Sequence, residues 1–461
     1  MIRKNLFLVP DIKEFIDNNQ LQALKEFCEE SHPADIAEIL EALEPEDAWK
    51  ILKVLEHDSQ AEIFANLIEE VQVEIATSLS KKELVTLITN MSHDDRVDLL
   101  RKIPEEKIEI VLPALAQAER EDIRRLMSYE EGTAGSIMTS EYVILAKDLK
   151  VREAIEELRK QAPDKETIYY TYIVDKDRRL IGFVSLADLI TEPSTKTVAE
   201  IMDDDIIYVH ANDDQEEVSH KISKYDLLAI PVVNENNQLV GIVTYDDAID
   251  VLNQEHTEDM EKFMAISGSH EMGNYLKTPV WIHFKNRVYW VIGLAIIGLF
   301  SGTVISSYES TIASLIVLTL FMPMLADTGG NVGSQSASVV IRALALRDLT
   351  PKDLPKILFK EFRISLMLSF LLGCLTFVNA MIIMRNATIP ENFSFLLIAV
   401  TIALALSLQV ISSTLIGALL PLLAAKMKFD PAVAASPAIT TLVDITGLLI
   451  YFSLAKIILG L

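Results

Sequence analysis

Glycine is absent between Asp11 and Met127, where Pro33, Pro45, Pro104 and Pro113 supply the only strong breaks. With apolar residues recurring three and four apart, that stretch reads as short amphipathic helices. Cysteine is nearly absent too. Cys28 and Cys374 fall in different halves of the chain, which excludes a disulfide framework and a cysteine-type zinc site. The N-terminus has no signal-peptide core: Leu6-Phe7-Leu8-Val9 is all that precedes Pro10, so the first half is expected to stay in the cytoplasm. The apolar spans of the second half hold no nucleophile–base pair and no histidine cluster, which argues against an enzyme.

The charge is unevenly placed. From Lys277 onward there are 13 Lys+Arg and 8 Asp+Glu, net +5; the 28 basic and 59 acidic residues before it leave net −31, out of −26 for the whole chain. A strongly acidic half repels phosphate, so nucleic acid is excluded as a partner, and divalent cations are favoured. Asp35–Leu40, Ala48–Leu55 and Ala61–Ile68 are examples of such helices, and segments such as Glu83–Ile88 and Arg96–Leu100 look like repeats of one unit about 23–25 residues long, a helical array. Within it, His93-Asp94-Asp95 is either a helix N-cap or a source of metal ligands.

The next block contains a second repeat. Arg179 to Asp188 matches Gln238 to Asp247 at an offset of 59 residues, and Ile137-Met138 and Ile201-Met202 open the two copies. Strand, turn, a strand carrying Gly182 or Gly241, then Ser185 or Thr244 opening a helix: the unit resembles a tandem pair of CBS domains. The glycines are expected to allow close approach of strand and helix. The CBS resemblance implies an adenine-nucleotide site, with Asp188 on the ribose and Tyr170 or Tyr172 nearby. Against it stand Ala187, where a basic residue would meet phosphate, and Leu227, where an aromatic would stack; the alternative for Asp188 is a helix cap. The second copy is dense in carboxylates, among them Asp203, Asp204, Asp205, Asp214, Glu216, Asp226, Asp247 and Asp250, followed by Glu255, Glu258 and Asp259 on one helix. Each is individually consistent with a solvated face. As a set they favour metal sensing, since like charges packed together need cations between them.

The second half opens with an interfacial belt, Trp281, His283, Lys285, Arg287, Tyr289 and Trp290. Five apolar spans follow, roughly 288–307, 311–341, 363–385, 393–424 and 432–459. Basic loops place the first half on the cytoplasmic side and the C-terminus outside. The second span is expected to be broken from Pro323 to Gln335, its irregular backbone lining a wet cavity, with Asn331 as a neutral oxygen donor. In the last span Asp444 puts a carboxylate at hydrocarbon depth, which costs roughly 2.5–3.5 kcal/mol and is usually retained for function. Pro431 and Pro437 precede it, so the carbonyls of Ser436 and Thr440 are expected to be free of helix bonds. Such oxygens suit Mg²⁺ held through its water shell.

Gly329-Gly330-Asn331-x-Gly333-x-Gln335 with Ser336, the Ile341–Ala345 run, Pro437 and Asp444 closely resemble MgtE-type magnesium transporters. So do the order of parts and His32-Pro33-Ala34-Asp35-Ile36-Ala37. The parts are an all-α helical-repeat N domain (1–130), an α/β tandem CBS pair (131–197 and 198–250), a connecting helix (251–276) and a five-helix transmembrane domain (277–461). The resemblance implies a homodimer in the inner membrane with its pore on the two-fold axis, a cytoplasmic part that binds Mg²⁺ and shuts the pore, and a connecting helix that plugs it. The candidate metal residues are Asp444, Ser436, Thr440, Asn331, Asp95, Asp214, Glu216, Asp226, Asp247, Asp250, Glu255, Glu258 and Asp259. Asp188 and Tyr170 are the candidates for ATP. The alternatives are a membrane-anchored sensor that regulates a partner protein, or a channel for Co²⁺, Mn²⁺ or Ca²⁺.

Overall fold

The computed structural model describes every residue except 1–6, 268–274, 276, 277, 387, 388, 391, 392, 434 and 435. It divides into two compact units, Met1–Glu255 and His256–Leu461.

In the first unit, helices begin at Pro33, Pro45, His57, Glu69, Lys81, His93, Glu105 and Gln117, one every 12 residues. Two helices therefore make a 24-residue repeat, within the expected span. Proline at the first helical position starts two of them without loss, because that N–H has no helix partner anyway. Ser80 and Glu83 start another with a reciprocal capping box. Each helix packs on the one two places further along, which buries a continuous apolar seam through Leu40, Leu52, Phe64, Ile88 and Leu100.

Two three-stranded sheets follow. The first comprises β1 (Val143–Leu145), β2 (Tyr170–Val174) and β3 (Leu180–Ser185); the second comprises β4 (Val209–His210), β5 (Ala229–Val233) and β6 (Leu239–Thr244). In each, the first pair is parallel and the second antiparallel. Arg179 and Gln238, equivalent positions in the repeat, bridge each other directly, as residues beside a pseudo-two-fold axis must. Gly182 and Gly241 do not make room for a helix as expected. Gly182 lies against Met202 and the Asp203 carbonyl, and Gly241 against Met138 and the Thr139 carbonyl. Each repeat's opening methionine thus seats on the other repeat's glycine, and Thr139–Ile242 and Phe183–Asp203 bridges secure the exchange.

Among the described residues of the second unit, four helices are long and apolar enough to cross a membrane, by length and composition: Val280–Ser307, Pro351–Ile383, Phe395–Lys426 and Ser436–Leu459. The expected second span differs. Helix Met322–Ala345 runs unbroken through Gly329, Gly330 and Gly333, and the break comes earlier, in the 3-10 turn Ile316–Phe321. The glycines serve helix packing, not irregular backbone. A methyl on Gly333 would meet Ile439 at 3.2 Å and the Ser413 carbonyl at 3.3 Å, so their absence lets three helices close together.

Candidate ion path and carboxylate cluster

On helix Met322–Ala345, residues four apart share a face. Asp327, Asn331 and Gln335 form such a stripe, and all three are exposed. A polar row left open on a helix among apolar helices is not a lipid-facing surface; it belongs to a wet path or a protein contact. The opposite face is buried against helices Phe395–Lys426 and Ser436–Leu459. Ser436 Oγ donates to Ser334 Oγ at 2.9 Å, and the Ser334 and Thr440 hydroxyls stand 3.4 Å apart, tying the start of the last helix to this one. Half-buried Asp444 follows one turn after Thr440, and its Oδ1 is buried without a hydrogen-bond partner among the described residues. The charge acting on it is that of Asp327. An unpartnered carboxylate oxygen beside a polar stripe can accept a cation's water or the cation itself.

The expectation of free carbonyls fails. The last helix starts at Ser436, and the Ser436 carbonyl accepts the Thr440 hydroxyl at 3.0 Å. Pro437 sits in the helix's first turn, where proline breaks nothing. Ser436 and Thr440 therefore present hydrogen-bonded hydroxyls here, not freed carbonyls.

In the first unit, Asp94, Asp95 and Asp98 lie on helix His93–Lys102, and Asp246, Asp247 and Asp250 open helix Tyr245–Phe263. The two groups face each other. Asp247 is pushed well above the usual carboxylate range by burial, then by the charge of Asp94, and Asp95 is raised by burial and by Asp246. Asp98 is exposed at a polar cavity of about 360 Å³; partial loss of water around it, then the charges of Asp94 and Asp95, push it up to about 7. Glu166, though exposed, is raised to about 8 by partial loss of water and by the charges of Asp94, Glu141, Asp246 and Asp95. Asp94 Oδ1 is buried with no partner, while Asp95 and Asp247 accept from Ser92 and Thr244 hydroxyls at 2.5 Å. Among the described residues no three His, Cys, Asp or Glu side chains converge as a ready metal-binding group. The cluster is a concentration of charge, not a preformed cage.

These shifts have a sign. Between the ordinary carboxylate range, near 4, and about 7–8, the folded chain keeps protons that the unfolded chain has released. Bound protons are then more numerous in the native state, so stability falls as pH rises through that window. Amide exchange in helix His93–Lys102, corrected for intrinsic rate, is expected to be faster at pH 8 than at pH 6, with Mg²⁺ closing the gap. Exchange that is equal at the two pH values would show that the carboxylates do not strain this packing.

The other expected ligands are scattered. Asp214 caps a helix through the Glu216 N–H at 2.8 Å, and Glu216 pairs with His220 at 3.3 Å. Asp226 is exposed at a left-handed helix end with φ 52°. Glu255 accepts from Gln215 at 3.0 Å. Glu258 pairs with Lys262, whose Nζ also reaches Asp430 Oδ2 at 2.8 Å. Asp259 is half-buried on the same helix. Asp188 takes its capping alternative: Ser185 Oγ donates to it at 2.5 Å and accepts its N–H at 3.0 Å. The carboxylate lining the small cavity beside Tyr170, about 80 Å³, is Asp205, with Phe183 edge-on to the Tyr170 ring at 5.7 Å. Sequence reasoning missed Asp98, Glu166, Lys262 and Asp430 as site residues. Asp98 was the accessible one, because it stands four residues after Asp94 and so shares its helix face.

Family models match residues 31–132 (MgtE intracellular N domain), 134–194 and 198–254 (CBS domain) and 322–454 (divalent cation transporter). The chain is 39% identical over 340 residues to a magnesium transporter MgtE of Thermus thermophilus, covering 74% of this chain and 73% of that protein. The chain belongs to the MgtE family of magnesium transporters. The Bacillus subtilis MgtE is 38% identical, covering 75% of this chain and 73% of its own length. Among solved structures, the soluble part of a magnesium transporter matches with a TM-score of 0.51 at 32% identity, covering 55% of this chain and 99% of that one. The cytosolic domain of the Mg²⁺ channel MgtE in complex with ATP matches with a TM-score of 0.50 at 37% identity, covering 53% of this chain and all of that one. Family members of this kind are transporters, not enzymes.

Proposed function

We propose that this MgtE family member conducts Mg²⁺ across the inner membrane as a homodimer and closes when cytoplasmic Mg²⁺ binds its acidic first unit. The observation that carries the conduit is the exposed Asp327–Asn331–Gln335 stripe beside an Asp444 oxygen with no partner. Two copies of that stripe facing each other on a two-fold axis make a wide polar passage. Mg²⁺ gives up water reluctantly, so such a passage lets it travel with much of its shell, held by Asp444 and by the Ser436, Thr440 and Asn331 side chains. Phe263, at the end of the connecting helix, packs against Ile439 and Val443, next to Asp444, and the Lys262–Asp430 ion pair holds that end down. This is an arrangement that blocks a path, and it supports a plug role for the helix.

The sensor is the facing pair Asp94–Asp95–Asp98 and Asp246–Asp247–Asp250, with Glu255, Glu258 and Asp259 further along the helix. Without cations these groups repel; Mg²⁺ between them favours the packed form. Adenine nucleotide binding at the Tyr170 cavity is a modest addition, supported by the ATP complex of the matched cytosolic domain. The deciding experiment is Mg²⁺ flux through the purified chain in liposomes as Mg²⁺ on the cytoplasmic face is raised. Flux should be high at low Mg²⁺ and fall steeply as it increases. No flux at any concentration would favour a membrane-anchored sensor acting on a partner, and equal flux of Co²⁺ or Ca²⁺ would favour a broader divalent channel.

A further inference from the structure

Gln409 lies in the middle of helix Phe395–Lys426 and is fully buried, 0% exposed, among apolar neighbours. A primary amide in that setting is costly unless its donors and acceptor are used. Its Nε2 donates to the Leu325 carbonyl at 2.9 Å, on the helix that carries the Asp327 stripe. Its amide also fills a slot between two glycines: a methyl on Gly329 or on Gly447 would collide with it. Gly329 is two residues after Asp327, and Gly447 is three after Asp444, on the same face of its helix. One side chain therefore touches both helices that bear the path's carboxylates, within a turn of each. Among the described residues its Oε1 has no partner, and neither does the Ser413 hydroxyl one turn further along.

We propose that Gln409 is a positioning residue of the permeation site. It sets the distance and rotation between the Asp327 helix and the Asp444 helix and so fixes where the Asp444 carboxylate meets the ion. An apolar core residue would fill the volume, but it would not pin Leu325 or define one rotation, because the glycine slot admits several orientations of a side chain that lacks a directional bond. A ligating carboxylate depends on such supporting groups, and their loss typically costs roughly 10–100-fold in metal affinity.

This inference rests on Asp444 being the ion-path carboxylate, so its test runs beside Asp444→Ala. Gln409→Met keeps the volume and removes the amide; Gln409→Glu keeps the shape and, when ionised, removes the donor. Full-length variants in liposomes are compared for half-saturating Mg²⁺, maximal flux and the Mg²⁺ to Ca²⁺ flux ratio. The expected result is a rise of about tenfold or more in half-saturating Mg²⁺ and a lower flux ratio, with maximal flux far less affected. If both variants assemble and keep the native half-saturation and ratio while Asp444→Ala is silent, the positioning role is wrong and the conduit stands. If neither variant assembles, Gln409 is a packing residue only and the proposal falls. If Asp444→Ala conducts normally, the reading beneath both is wrong.

Discussion

Asp444→Ala is expected to abolish Mg²⁺ flux while leaving the protein assembled and no less stable. The two effects have different origins. A unit charge pair 4 Å apart at an effective dielectric of 20 is worth about 4 kcal/mol, and a divalent ion doubles it. That attraction, acting across the ion's water shell, offsets the cost of distorting that shell as Mg²⁺ passes. Removing even half of it slows entry by about 10³-fold, since each 1.4 kcal/mol is tenfold. Stability should not follow, because Asp444 Oδ1 has no hydrogen-bond partner and Asp444 has no cationic neighbour among the described residues. Deleting an unpaired, half-buried carboxylate removes a desolvation cost and a repulsion from Asp327, so thermal unfolding should be unchanged or raised. Asp444→Asn separates charge from shape and should be nearly as inactive; Asp444→Glu should retain measurable flux. Normal flux in Asp444→Ala would end the assignment, and loss of flux with a large fall in melting temperature would recast Asp444 as a structural residue.

The chain's organisation was legible because it is written in repeats and periods. A 12-residue helix spacing, a 59-residue strand–helix repeat and apolar spans each leave a pattern that packing must obey. What the pattern does not carry is which elements meet. Gly182 and Gly241 were recognisable as close-approach positions, but their neighbours, Met202 and Met138, come from the other repeat, which no local reading reveals. The glycines of the Gly329–Gln335 motif were misread as a helix break for a related reason. Glycine permits irregular backbone and close helix packing equally. Only the positions of Gln409, Ser413 and Ile439, some 80 to 110 residues away, decide for packing. Asp188 shows the converse. Its capping box with Ser185 spans only three residues, so the local sequence already pointed to a cap. Asp444 stood out in the sequence because a carboxylate in an apolar span has few inexpensive explanations. Asp98 did not, because a charge on a helix already rich in charges of both signs has many.

Neutralising the facing carboxylates, Asp94→Asn, Asp95→Asn and Asp247→Asn together, is expected to leave flux high when cytoplasmic Mg²⁺ is raised to levels that silence the native protein. Two consequences of the substitution compete. It removes the groups that bind cations in the packed form, and it also removes part of the repulsion that keeps that form from packing unaided. The second effect is incomplete, because Asp98, Glu166, Asp246 and Asp250 remain and still repel one another. The first is decisive, because a ligand shifts an equilibrium only by its difference in affinity for the two states. Near-complete switching, from 1:99 to 99:1, needs roughly 5.5 kcal/mol of such difference, which several weak sites supply jointly and which the loss of three carboxylates cuts below threshold. The readout is the concentration of Mg²⁺ that halves flux, expected to rise at least about tenfold, while flux at low Mg²⁺ stays near native. Replacing three exposed carboxylates elsewhere in the helical array, Glu56, Asp58 and Glu62, by their amides removes the same formal charge without touching the cluster and should leave closure intact. If the control weakens closure as much as the triple variant does, the whole unit's acidity is the sensor and the cluster has no special part. If neither weakens it, closure does not depend on these charges, and the connecting helix is held by its own contacts at Lys262 and Phe263.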